Sequence, residues 1–138
     1  MKKIFLIPAL IIGLISVFAF RANENSGEAS ASADKDYLEC FKKYASAWGE
    51  TCQDCKTYKD SYKVKLRNEC GENIDVQICV QEANKTWKLF KFNRVAPKDS
   101  VIAYACEGTG KYLKWVRKSG DGSVNFPAQE EVNAKNKE

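Results

Sequence analysis

KLRNECGENIDVQICV, residues 65–80, decides the fold. Ile74, Val76, Ile78 and Val80 alternate with polar neighbours, the period of a half-buried strand. Just upstream, SYKVKLRN (61–68) puts Tyr62, Val64 and Leu66 on one face in the same way, and NECGEN between the two runs has the Gly and Asn content of a turn. Working outward, TWKLFKF (86–92), SVIAYAC (100–106) and KYLKWVR (111–117) read as three further strands, separated by the turn-like RVAPKD, EGTG and SGDG. Five short strands at this spacing predict an α+β, mostly β fold: a small antiparallel five-stranded sandwich or partly open barrel.

Upstream of these strands the period changes. In DKDYLECFKKYASAWGE (34–50), Tyr37, Phe41, Tyr44 and Trp48 recur at four, three and four residues, which predicts one N-terminal amphipathic helix at about 36–48. Asp36 is its expected N-cap, with Glu39 as return partner, and Gly49 its stop.

The chain begins with two lysines followed by an uncharged apolar run from Ile4 to Phe20, the layout of a secretory signal peptide with cleavage after Ala19. The competing expectation is an uncleaved anchor. Residues 20–34 read as a flexible leader, 35–122 as one disulfide-stabilised domain, and 123–138 as a disordered tail. Cleavage leaves 119 of the 138 residues and takes two lysines from a net charge of +4, so the mature chain carries +2. That is too little to argue for nucleic acid. The expected location is secreted or periplasmic, where six cysteines in a short chain read as a disulfide framework.

Those cysteines divide into two trios: Cys40, Cys52 and Cys55 before the strands, and Cys70, Cys79 and Cys106 among them. Cys79 falls on the face opposite Ile78 and Val80 while Cys70 lies beside a turn, so a bond between these two has the wrong register. If all six are paired, an odd number in each trio forces at least one bridge between helix and sheet, stapling them together. Cys52-Gln-Asp-Cys55 also has the spacing of a redox dithiol, though without the strand before it or the helix after it that such sites use. Cys52, Cys55, Cys70 and Cys79 as a zinc site would need a second two-residue pair, which is missing. Metal and cofactor are therefore expected to be absent. The chain has no histidine, which removes Ser-His-Asp and Cys-His catalysis and His-ligated zinc.

Charge is uneven. Residues 85–118 hold nine bases against two acids, interleaved with Trp87, Phe90, Phe92, Tyr112 and Trp115, whereas residues 68–84 hold four acids and no base. An anionic-ligand surface is expected, if anywhere, at Lys88, Lys91, Lys111, Lys114, Trp115, Arg117 and Lys118, and it requires an exposed indole at Trp115 or Trp87. The alternative is that the aromatics form core and the lysines solvate the other face. Asn84-Lys85-Thr86 matches the N-glycosylation pattern, which carries little weight behind a bacterial-looking signal peptide.

Asn68, Cys70, Ile74, Val76, Cys79 and Cys106 together form an Asn-x-Cys turn, a Val/Ile strand reaching a second cysteine, and a late third cysteine. Over residues 62–118 this pattern resembles a loose group of small exported bacterial β-rich domains with no assigned activity. The resemblance implies a β-rich exported domain and carries over no functional residue. The leading expectation is a non-enzymatic binding or structural module, its partner an anionic glycan, a membrane surface or an acidic protein. The alternatives are a thiol-disulfide redox protein using Cys52 and Cys55, or a secreted inhibitor or toxin.

Overall fold

A computed structural model describes residues 28–29 and 35–137. The signal peptide expected at 1–19 and nearly all of the expected leader lie outside the described residues. Glu28 and Ala29 form a two-residue strand, β1 (Glu28–Ala29), parallel to Tyr112 and Leu113 of β7 (Gly108–Lys118), so the leader contributes a pairing of its own.

The five strands expected from period-two patterning all form: β3 (Tyr62–Asn68), β4 (Ile74–Glu82), β5 (Trp87–Val95), β6 (Ser100–Ala105) and β7. A sixth long strand, β2 (Phe41–Trp48), stands where helix was expected. The helix α1 (Lys35–Cys40) is only six residues long. Two sheets result, in the order β1-β7-β4-β5 (sheet A) and β2-β3-β6 (sheet B), and apart from β1 every pairing is antiparallel. The architecture is an open sandwich.

The helical reading fails because the supposed stripe is not buried on one side. Tyr44 is 47% and Trp48 56% exposed, whereas Phe41 is fully buried. A register shift between Lys43 and Ala45 lets Tyr44 bulge out of the ladder, and this extra residue gives the aromatic spacing its accidental helical period. Pairing with β3 satisfies the backbone instead, and aromatic side chains suit a strand. Gly49, at φ +71°, ends the strand by donating to Ser61 O at 3.0 Å.

The alternating residues meet between the sheets. Phe41, Tyr62, Val64, Leu66, Ile74, Val76, Ile78, Val80, Val101 and Ala103 form the main core, with Tyr37, Leu38 and Cys40 of the α1 turn packed against it. The Asn-x-Cys motif is structural. Asn68 Oδ1 accepts from Cys70 N at 2.8 Å, and its Nδ2 donates to Glu72 O and Val95 O at 2.9 Å each, so the buried amide closes the β3–β4 turn.

A second core lies on the outer face of sheet A, where Cys79, Trp87, Leu113 and Trp115 are buried beneath Val132, with Leu89 and Phe126 at its margin. Its lid is the C-terminal segment with helix α2 (Gln129–Lys135), so the tail expected to be disordered completes the domain. Backbone and side chains tie it down: Gln77 Nε2 donates to Pro127 O at 2.8 Å, Trp87 Nε1 to Asn136 O at 2.8 Å, and Trp87 N to Asn133 Oδ1 at 2.8 Å.

Candidate functional site

Disulfides Cys40–Cys70 and Cys55–Cys106 each join one trio to the other, as the helix-to-sheet staple requires. The premise that all six cysteines pair is corrected: Cys52 and Cys79 are free thiols. Cys79 has no partner because α2 covers its face of sheet A, and burial pushes its thiol up to about 12, with Lys91 opposing. Cys55 is bonded to Cys106, so Cys52 and Cys55 are not a bonded dithiol pair here. With Cys55 and Cys70 in separate bridges, the four-thiol zinc set is not assembled.

The anionic-ligand surface expected from the C-terminal basic stretch is not assembled either. Trp87 and Trp115 are both buried. Lys114 points inward, 7% exposed, and its Nζ donates to Phe41 O at 2.7 Å and Leu38 O at 3.4 Å, carbonyls at the junction of α1 and β2. Arg117 is held by Asp75 at 3.3 Å, by Val124 O at 2.6 Å and by the Phe126 ring at 4.8 Å. Lys118 pairs with Glu72 at 3.0 Å, while Lys91 and Lys111 are exposed and apart from an exposed ring. Alternation sent these residues to three different surfaces.

A different basic and aromatic face exists, on the outside of sheet B. Tyr62, Val64 and Leu66 point inward, so Lys63, Lys65 and Arg67 of β3 form a row on the other side. The ladders set their neighbours: Lys63 lies between Ala47 and Tyr104, Lys65 between Ala45 and Ile102, and Arg67 between Lys42 and Ser100. Bulged Tyr44 turns its ring to the Arg67 guanidinium at 4.6 Å. At the β6 edge the face continues onto β5, where Lys88 Nζ sits 4.0 Å from the Tyr104 ring centroid and Phe90 stacks beside that ring at 5.1 Å. Of the residues expected at a site, Lys88 alone borders this face.

Its charges are under-compensated. A single carboxylate, Glu50, serves both Lys63 and Lys65, at 3.4 and 3.6 Å. Glu69 serves Lys42 at 3.0 Å, and the hydrogen bond from that ammonium, followed by its charge, holds the Glu69 carboxyl below its usual range. Among the described residues four cations thus face two carboxylates, with Ile102 46% exposed among them. No buried hydrophobic cluster like that under α2 forms among the described residues on the outer face of sheet B, where Glu50 of the β2–β3 connection lies over Lys63 and Lys65. The signal for this face was present in the sequence as the polar half of the alternation in SYKVKLRN.

No family model, curated protein or solved structure matches the chain. Among the described residues no helix is long and apolar enough to cross a membrane, and no group of three or more His, Cys, Asp or Glu is placed to hold a metal ion.

Proposed function

We propose that the chain is an exported, non-enzymatic binding module whose site is the outer face of sheet B and whose partner is an anionic polysaccharide. The observation that carries this reading is the row Lys63, Lys65 and Arg67 flanked by Tyr44 on one side and by Ile102 and Tyr104 on the other. Side chains two apart on a strand are roughly 6.5 Å from each other, so the row offers three cations along about 13 Å of a flat, rigid surface. Rings beside cations supply apolar faces for sugar rings while the cations meet carboxylate or sulfate groups. Tyr44 and Ile102 are too little apolar surface to insert into a bilayer, which favours a polysaccharide over a membrane.

The test is retention of the mature protein on immobilised polygalacturonate and dextran sulfate, on phosphatidylglycerol vesicles and on polyglutamate, at low and at physiological salt. The reading expects salt-sensitive retention on the two polysaccharides, weakened roughly tenfold or more in a Lys63→Gln/Lys65→Gln/Arg67→Gln variant. Retention only on vesicles or only on polyglutamate would replace the polysaccharide by a lipid surface or an acidic protein, the latter the partner an inhibitor or toxin would meet. Equal retention of variant and parent would remove the site.

A further inference from the structure

Three of the sulfurs lie at one end of the sandwich. Cys106 begins the two-residue turn between β6 and β7, a rigid position because the Glu82 carboxylate accepts from Cys106 N at 3.1 Å and from Glu107 N at 2.9 Å. Its partner Cys55 sits on the opposite kind of support. Residues 51–57 of the connection from β2 to β3 make no backbone hydrogen bond to a strand among the described residues, and the Cys55–Cys106 bridge ties them to the domain. Gln53 and Asp54 form a turn with Cys52 and Cys55 at its ends, Asp54 in the left-handed region at φ 65°. The ends of such a turn have Cα atoms within about 7 Å of each other, and a disulfide spans Cα separations of about 4.4–6.8 Å. Cys52 is partly exposed and carries a free thiol, which donates to Glu50 O at 3.4 Å.

We propose that Cys52, Cys55 and Cys106 form a thiol-disulfide exchange site in which the bridge moves from Cys55–Cys106 to Cys52–Cys55. The Cys52 thiolate attacks Sγ of Cys55. The new S–S bond forms as the Cys55–Cys106 bond breaks, its electron pair leaves on Sγ of Cys106, and that sulfur takes up the proton that Cys52 gave to solvent. One thiol and one disulfide go in and one of each comes out, so no oxidant or reductant is consumed. The product state frees Cys106 at the surface and unties the connection that carries Glu50, the carboxylate paired with Lys63 and Lys65. The Cys40–Cys70 bridge follows the end of β3, whereas Cys55, three residues from Cys52, is tied to Cys106 beside the start of β3, and Cys79 is buried on the far side of sheet A under α2.

Differential alkylation of the folded mature protein tests this. Free thiols are trapped with N-ethylmaleimide, quenched in acid, and the remaining bridges are mapped by mass spectrometry. The expected result is label on both Cys52 and Cys106, linked peptides for both Cys55–Cys106 and Cys52–Cys55, and an unlabelled Cys79. A Cys52→Ser variant should lose the Cys106 label and hold the Cys55–Cys106 bridge with an unchanged melt. A Cys106→Ser variant should collect the Cys52–Cys55 bridge. Label on Cys52 alone in the parent would overturn the proposal, and so would label on Cys106 persisting in Cys52→Ser.

Discussion

Asp75 shows how much a single buried carboxylate organises here. It lies opposite a bulge in β5, where the register shifts between Ile74 and Val76 and Arg94 takes φ +54°. Asp75 Oδ1 accepts from Arg94 N at 3.0 Å and from Ser119 Oγ at 2.9 Å, while Oδ2 receives the Arg117 guanidinium and Gly120 N. Burial alone would raise this carboxyl. The hydrogen bonds from Arg94, Ser119, Gly120 and Arg117 outweigh it and hold the group below its usual range. The stability that this depression contributes is present above the unfolded-state value of about 4, and is lost as pH falls through the lower folded value. Asp75→Asn should therefore cost about 2 kcal/mol in urea unfolding at pH 7, with the gap to the parent closing in strong acid. Cys79 is the opposite case. Its thiol is raised from 9.0 to about 12, so its share of stability is full below pH 9 and falls as pH rises toward 12. Cys79→Ala should lose less stability than the parent over that alkaline window, measured by the same titration. Of these residues, the inward or outward facing of Cys79 was legible from period two, but its lack of a partner depended on the remote α2. Lys114 was illegible for a related reason: an inward lysine is tolerated where remote acceptors, here the carbonyls of Leu38 and Phe41, receive it.

Two elements depart from what the sequence suggested, and both do so through tertiary contacts. β2 has a helical aromatic spacing, yet its bulge at Tyr44 and its ladder with β3 decide the outcome. The C-terminal segment, rich in charged and polar residues, has one buried apolar contact of note, Val132 at 2% exposure, which a periodicity scan cannot separate from noise. What holds it is specific: Asn133, Asn136 and Gln129 bond to Trp87, and Pro127 O receives Gln77. Removing residues 123–138 should uncover Trp87, Leu113 and Trp115, shift indole fluorescence to the red, and make Cys79 alkylatable in the folded protein. A truncated chain with unchanged fluorescence and a protected Cys79 would show the segment to be dispensable. Val132→Ala, a milder change, should cost roughly 1–2 kcal/mol in denaturant unfolding. The five strands from β3 to β7, by contrast, follow from local alternation and turn residues, but β4, read as half-buried, is buried on both faces, its polar positions Asp75, Gln77 and Gln81 included.

For the whole molecule the organising fact is that the two sheets treat their outer faces differently. Sheet A is roofed by the C-terminal segment, which converts Trp87 and Trp115 into core and spends Arg117 on the roof itself. Sheet B keeps Lys63, Lys65 and Arg67 half-buried on its outer side, the Lys63 and Lys65 side chains 16% and 27% exposed, beside the more exposed Tyr44 and Ile102 and the half-buried Tyr104. The two disulfides close sequence separations of 30 and 51 residues, each contributing about 3.5–4 kcal/mol in the chain-entropy account, and both anchor segments that frame sheet B. A rigid platform results from few residues. Counting bases along the chain picks out β5 and β7, where the densest basic run lies and where facing and the roof disperse it. The most direct measurement is a map of backbone amide shifts of residues 20–138 on addition of a soluble oligogalacturonate at low salt. Shifts confined to residues 42–47, 63–67 and 100–104, reversed by salt, are what the platform predicts. Shifts centred on the outer face of β5 and β7, or none at any concentration, would contradict it.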